Sequence, residues 1–192
     1  LLKTLEKYLN DFVYYAIHEK IEIYNEFSLQ HELGIYLRER LKDTEYKIQF
    51  ERNAAYFGVD KSKLIKREID ISVFNRNLDE KYAIELKYPL NGQYPETMYS
   101  FIKDICFCEQ LTQSGFDGAL AFAIVNDKLF YEGSMKEGIY SYFRTLKPLK
   151  GSIIKPTGTV PDEIILNREY FINWNKISET SRYYIIATDK EK

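Results

Sequence analysis

A chain of 192 residues, 45% hydrophobic and 29% charged, has the composition of one globular domain over 1–192 and not of a disordered or fibrous protein. Its net charge of -2 lacks the basic excess of a non-specific nucleic-acid binder. No stretch approaches the roughly 20 apolar residues that span a bilayer, and Glu6, Asn10 and Asp11 interrupt any signal-like apolar core, so no membrane association is expected. Cys106 and Cys108 are the two cysteines, too close together to staple a fold. They point to a reducing, cytoplasmic setting, and as i,i+2 neighbours on a helix they would not share a zinc ion.

Apolar spacing predicts a helix over Leu2 to Tyr24 and a second over Ser28 to Leu41, with Ser28 as its cap and Gly34 inside it as a point of close packing or of no special role. Tyr46, Ile48 and Phe50 alternate with polar residues, as a strand does. Phe57 to Lys66 reads as a turn or loop. Ile69, Ile71 and Val73, then Tyr82 to Leu86, read as two strands of an antiparallel hairpin. Pro89, Gly92 and Pro95 break the chain before a helix from Glu96 to Gln113. Ala119 to Val125 has the continuous apolar character of a central strand buried on both faces, and Leu129 to Tyr131 reads as a short continuation. A helix is expected over Met135 to Leu146, and a loop from Gly151 to Asp162 containing Pro156, Gly158 and Pro161. Ile164 to Trp174 has no clear pattern, and Tyr183 to Thr188 forms a last strand before a frayed charged tail. The order predicts an α/β fold, a central mixed β-sheet flanked by helices on both sides.

Two carboxylates stand inside apolar strands: Asp70 between Ile69 and Ile71, and Glu85 between Ile84 and Leu86. Burying such charges is costly unless they are paired or bind a metal. Glu85 and Lys87 are two apart on one strand and share a face, which Asp70 reaches if the strands pair. Oxygen ligands from Asp70 and Glu85, with the Leu86 carbonyl as a third, suit a hard cation such as Mg²⁺ or Mn²⁺. Such an ion lowers the pKa of a bound water, and Lys87 would position that water and stabilise a charged transition state. Glu32 is either a further ligand, direct or through water, or an ordinary exposed residue. The competing reading makes Glu85 and Lys87 a same-face salt bridge on a half-exposed strand. Lys61, Lys63, Lys66, Arg67 and Lys103 form either a basic rim or a solvated face.

The pattern Glu68-Ile69-Asp70, then Glu85-Leu86-Lys87 across a hairpin, resembles the PD-(D/E)XK nuclease superfamily, with its restriction-endonuclease-like fold, over roughly Ser28 to Val125. Ile69 stands where the name-giving Pro often precedes the Asp. The resemblance implies a Glu on the preceding helix, matched by Glu32, and a polar residue on the helix after the Lys, best matched by Gln110, with Lys103 near phosphate. It implies a metal-dependent nuclease that leaves a 5′-phosphate, acting on nucleic acid and on DNA before RNA, in restriction, phage defence or repair. Specificity would come from loops, a second copy or a partner protein. The alternative keeps the fold as a non-catalytic interaction or nucleic-acid-binding module, which the acidic balance and the 17 tyrosines favour. A phosphatase acting on small molecules is a third class.

Overall fold

The computed structural model describes residues 1–90, 92–158 and 162–190, so Pro161 and the last two residues of the charged tail lie outside the described residues. Helix α1 (Leu2–His18) buries Leu5, Leu9, Phe12, Val13 and Ala16. It stops short of Tyr24 because Lys20 adopts a left-handed φ of 55° and the Ile21 amide donates back to the Ala16 carbonyl. That is the helix-ending motif usually built on glycine, here built on lysine. Helix α2 (Glu26–Leu41) is capped by Asn25 rather than Ser28. Asn25 Oδ1 accepts the Ser28 amide at 2.7 Å while Ser28 Oγ accepts the Asn25 amide at 3.1 Å, a reciprocal capping box.

Strands β1 (Lys47–Asn53), β2 (Glu68–Phe74) and β3 (Lys81–Lys87) form an antiparallel meander. Helix α3 (Tyr94–Gln113) then crosses over to β4 (Gly118–Val125), which runs parallel to β3. After a five-residue helix α4 (Tyr140–Arg144), strands β5 (Leu149–Ile154) and β6 (Glu163–Tyr170) pair with each other. The short β7 (Asn175–Lys176) and β8 (Arg182–Asp189) complete a six-stranded mixed sheet of order β1-β2-β3-β4-β8-β7.

Two corrections follow for the second half. The helix expected over Met135 to Leu146 shrinks to α4, because Gly138 takes a left-handed φ of 56° just before it. Of the loop expected over Gly151 to Asp162, residues 151–154 belong to β5, while 155–158 and 162 lie between the strands of the β5–β6 hairpin as a loop does. Gly151, which reads as loop punctuation, sits with φ 70° at a register shift in β5, the position a bulge requires.

The sheet separates two apolar cores. On one face Ile71, Val73, Ile84, Leu86, Leu120, Phe122 and Ile124 pack against α1 and α2. On the other, Ala83, Ala119, Ala121 and Ala123 offer a low surface onto which α3 settles, with α4 and the β5–β6 hairpin beyond it. The β4 sequence Ala119-Leu120-Ala121-Phe122-Ala123-Ile124 thus alternates small and large residues between the two faces. Gly34 of α2 faces the Phe50 ring of β1, where an added Cβ would lie 2.2 Å from Cζ, so close packing is its role. Among the described residues no helix is long and apolar enough to cross a membrane.

Candidate functional site

The β2–β3 ladder runs from Phe74 opposite Lys81 to Ile71 opposite Ile84 and ends there. The next residues are Asp70 and Glu85, and their side chains take over from the backbone. Asp70 Oδ2 accepts the Leu86 amide at 2.7 Å, and Glu85 Oε1 accepts the Asp70 amide at 3.3 Å. Each carboxylate thereby satisfies a main-chain donor that the parting strands would otherwise leave unpaired.

Glu85 is buried, and its second oxygen, Oε2, takes the ammonium of Lys66. The same ammonium donates to Asp104 Oδ1 of α3 at 2.8 Å. The other oxygen of Asp104 pairs with Lys87 Nζ at 3.1 Å, and Lys87 also reaches its own neighbour's carbonyl, Leu86 O, at 3.1 Å and Glu26 Oε1 at 3.4 Å. The site is therefore an alternating chain, Glu85–Lys66–Asp104–Lys87–Glu26. Asp70 and Glu51 stand outside this chain of ion pairs, and they line a cavity of about 270 Å³ together with Glu26, Phe27, Gln30 and Leu86.

The electrostatics follow from that arrangement. Burial, opposed by Lys66 and the Leu86 amide, pushes Asp70 up to about 6. Burial and the neighbouring Asp70 push Glu85 well above the usual carboxylate range. For Lys66 burial pulls the other way, but Glu85, Asp104 and Asp70 outweigh it and hold the ammonium charged. Lys87 is held up in the same manner by Asp104 and Glu26.

Gln30 of α2 completes the wall. Its Nε2 donates to Asp70 O at 2.8 Å and to Glu51 Oε1 at 2.5 Å, using both amide protons. Glu51 sits in β1 between Phe50, opposite Ile71, and Arg52, opposite Ile69, which places it across from Asp70. Its φ of 48° is left-handed, a strained conformation for a non-glycine residue that turns it out of the ladder.

Of the residues expected from sequence, Asp70, Glu85, Leu86 and Lys87 come together. Glu32 does not join them. It contacts His31 at 3.2 Å and lines a separate groove with Tyr15, Ile35 and Arg38, while Glu26 of the same helix stands at the Lys87 ammonium. Gln110 is also elsewhere: its Oε1 accepts the Ile65 amide at 2.7 Å, pinning the segment that delivers Lys66. Glu85 and Lys87 are not each other's salt bridge, since Glu85 pairs with Lys66 and Lys87 with Asp104. Of the expected basic rim, Lys66 turns inward and Lys103 pairs with Asp162 at 3.0 Å, while Lys61, Lys63 and Arg67 are exposed.

The chain matches no family model, no curated protein and no solved structure. Its chemistry is therefore carried by the side chains themselves. The donors around the cavity are all oxygen, the chemistry a hard cation takes, and Asp70 is a half-buried carboxylate outside the chain of ion pairs. As the side chains stand, however, no three His, Cys, Asp or Glu among the described residues are gathered to hold a metal ion, and Glu85 is paired with Lys66. Glu26, Gln30, Glu51 and Asp104 were not singled out by sequence as site residues, and Lys66 was expected only as part of a basic rim or a solvated face. The i,i+4 spacing of Glu26 and Gln30 on α2 is the one local signal that could have joined two of them.

Proposed function

We propose that the protein is a metal-dependent nuclease of the PD-(D/E)XK type, hydrolysing phosphodiester bonds, with DNA favoured over RNA. The observation that carries the reading is the hooked pair Asp70 and Glu85 at the parting of β2 and β3, with Lys87 beside it and an oxygen-lined cavity in front. A bound Mg²⁺ or Mn²⁺, held by Asp70, Glu85 and the Leu86 carbonyl with Glu26 in place of Glu32, would supply a lowered water pKa and charge neutralisation at phosphorus.

The chain's own groups do the rest. Lys87, kept protonated by Asp104 and Glu26, presents a compact positive charge to a phosphate oxygen. Glu26 lies within reach of that ammonium and orients it. Gln30 fixes the Asp70 carbonyl and the Glu51 carboxylate, so the cavity wall is rigid before substrate arrives. Exposed Lys61, Lys63 and Arg67, on the segment leading into β2, offer positive charge to a phosphate backbone. The free, buried thiols of Cys106 and Cys108 are consistent with a reducing, cytoplasmic compartment.

The test is cleavage of supercoiled plasmid, linear duplex, single-stranded DNA and structured RNA with Mg²⁺, Mn²⁺ or EDTA. Cleavage that requires metal and is lost in Glu85→Ala and Lys87→Ala is the expected result. The closed ion-pair chain also supports a second reading, a non-catalytic module that keeps the architecture. Folded protein that neither cleaves nor binds Mn²⁺ would decide for it.

A further inference from the structure

We propose that Lys66 is the resident cation of this site, and that a divalent ion reaches Glu85 only by displacing its ammonium. The inference rests on the cation-binding reading of Asp70 and Glu85 given above. Both oxygens of Glu85 are engaged: Oε1 accepts the Asp70 amide and Oε2 the Lys66 ammonium. The Asp70 hydrogen bond fixes the strands, so the Lys66 contact is the one that can be exchanged.

Three features make the exchange feasible. Lys66 lies outside the ladder, on the segment preceding β2, with its side chain 28% exposed, so its flexible stem has a path to solvent. Gln110 holds the neighbouring Ile65 amide, so the backbone stays while the side chain leaves. Asp104 keeps a counter-charge after the departure, because its other oxygen lies 3.1 Å from the Lys87 ammonium.

The charge balance favours the substitution. Four carboxyl groups, Asp70, Glu85, Asp104 and Glu26, stand around the two ammonium groups of Lys66 and Lys87. A divalent ion in place of Lys66 brings one more positive charge to this acidic site than the ammonium it replaces; a monovalent ion does not. The site thus closes on itself when divalent ions are scarce and selects for charge when they are present.

The experiment measures Mn²⁺ binding by electron paramagnetic resonance on the full chain, comparing wild type, Lys66→Met and Asp70→Ala. Methionine keeps an apolar stem near the Phe107 ring, which the Lys66 ammonium overlies at 5.6 Å. Lys66→Met is expected to bind Mn²⁺ at least about tenfold more tightly than wild type, and Asp70→Ala to lose binding. Equal affinity in wild type and Lys66→Met, with loss in Asp70→Ala, overturns the displacement and leaves the cation site standing. No Mn²⁺ binding by either folded protein overturns both. Because removing Lys66 leaves Glu85 without its partner and could unfold the variant, a second readout uses wild type alone: reductive methylation of lysines mapped by mass spectrometry. Lys66 should label slowly in EDTA and several-fold faster in saturating Mg²⁺. Labelling that is unchanged while the protein binds Mn²⁺ overturns the proposal.

Discussion

Asp70 and Glu85 hold each other's strands apart and in register: Asp70 accepts the amide one residue beyond Glu85, and Glu85 accepts the amide of Asp70 itself. The pair ends the β2–β3 ladder, opens the cavity and fixes both carboxylates before anything binds. Moving either residue therefore disturbs backbone pairing as well as chemistry.

Asp70 makes that cost measurable through pH. Its folded pKa of about 6 is raised by burial above the unfolded value near 4. Its contribution to stability is then full below about pH 4 and is lost as pH rises through 6. In EDTA, Asp70→Asn keeps an acceptor for the Leu86 amide and removes the buried charge. It should be more stable than wild type by up to about 3 kcal/mol at pH 8, with the difference shrinking toward pH 4. Urea denaturation at pH 4, 6 and 8 checks this; a gap independent of pH would mean that burial does not perturb Asp70.

Glu26 and Glu32 separate the two possible helix carboxylates. Glu26 touches Lys87, whereas Glu32 faces a groove on the outer side of α2. Once a cleaved substrate is identified, Glu26→Ala should lower the rate by about 10²-fold, the scale of a lost electrostatic contact at a transition state. Glu32→Ala should stay within about twofold of wild type, as for an exposed group remote from the chemistry. The reverse order of effects would place the site on the other face of the helix.

Gly34 tests the packing of α2 on β1. Gly34→Ala drives a methyl into the Phe50 ring and is expected to cost about 1–3 kcal/mol despite alanine's better helix propensity. Combining it with Phe50→Leu should recover part of the loss, because the two side chains compete for one space. A double-mutant cycle by thermal or urea unfolding reads the coupling, and strict additivity would rule the contact out.

Glu109 anchors the second sheet. It is buried on α3 and accepts hydrogen bonds from the Asn167 amide at 2.8 Å, Asn167 Nδ2 at 2.7 Å and the Tyr170 hydroxyl at 3.0 Å, all on β6. Glu109→Ala strands these donors and should cost about 2–4 kcal/mol. Hydrogen exchange should show the loss of protection concentrated in β5 and β6, with β2 and β3 little changed. Uniform loss would mean that the hairpin is not held through Glu109.

What local sequence determined is the direction of side chains within each element. Alternation in Ile69–Val73 and Tyr82–Leu86 is a two-residue period, so the hairpin and the shared face of Glu85 and Lys87 follow from the chain alone. The Ala119–Val125 run announces a strand with apolar neighbours on both sides, and it has them. Which partners those side chains meet was decided only by tertiary structure. Glu32 lies about 240° around α2 from Glu26, so the choice between them depends on how the helix is rotated against the sheet, which Gly34 and Phe50 set from a distance. Lys66 meets Asp104 across 38 positions and Gln110 reaches the Ile65 amide across 45, separations no periodicity spans. The β5–β6 hairpin stayed hidden because its bulge glycine looks like any loop glycine until the paired strand is in place.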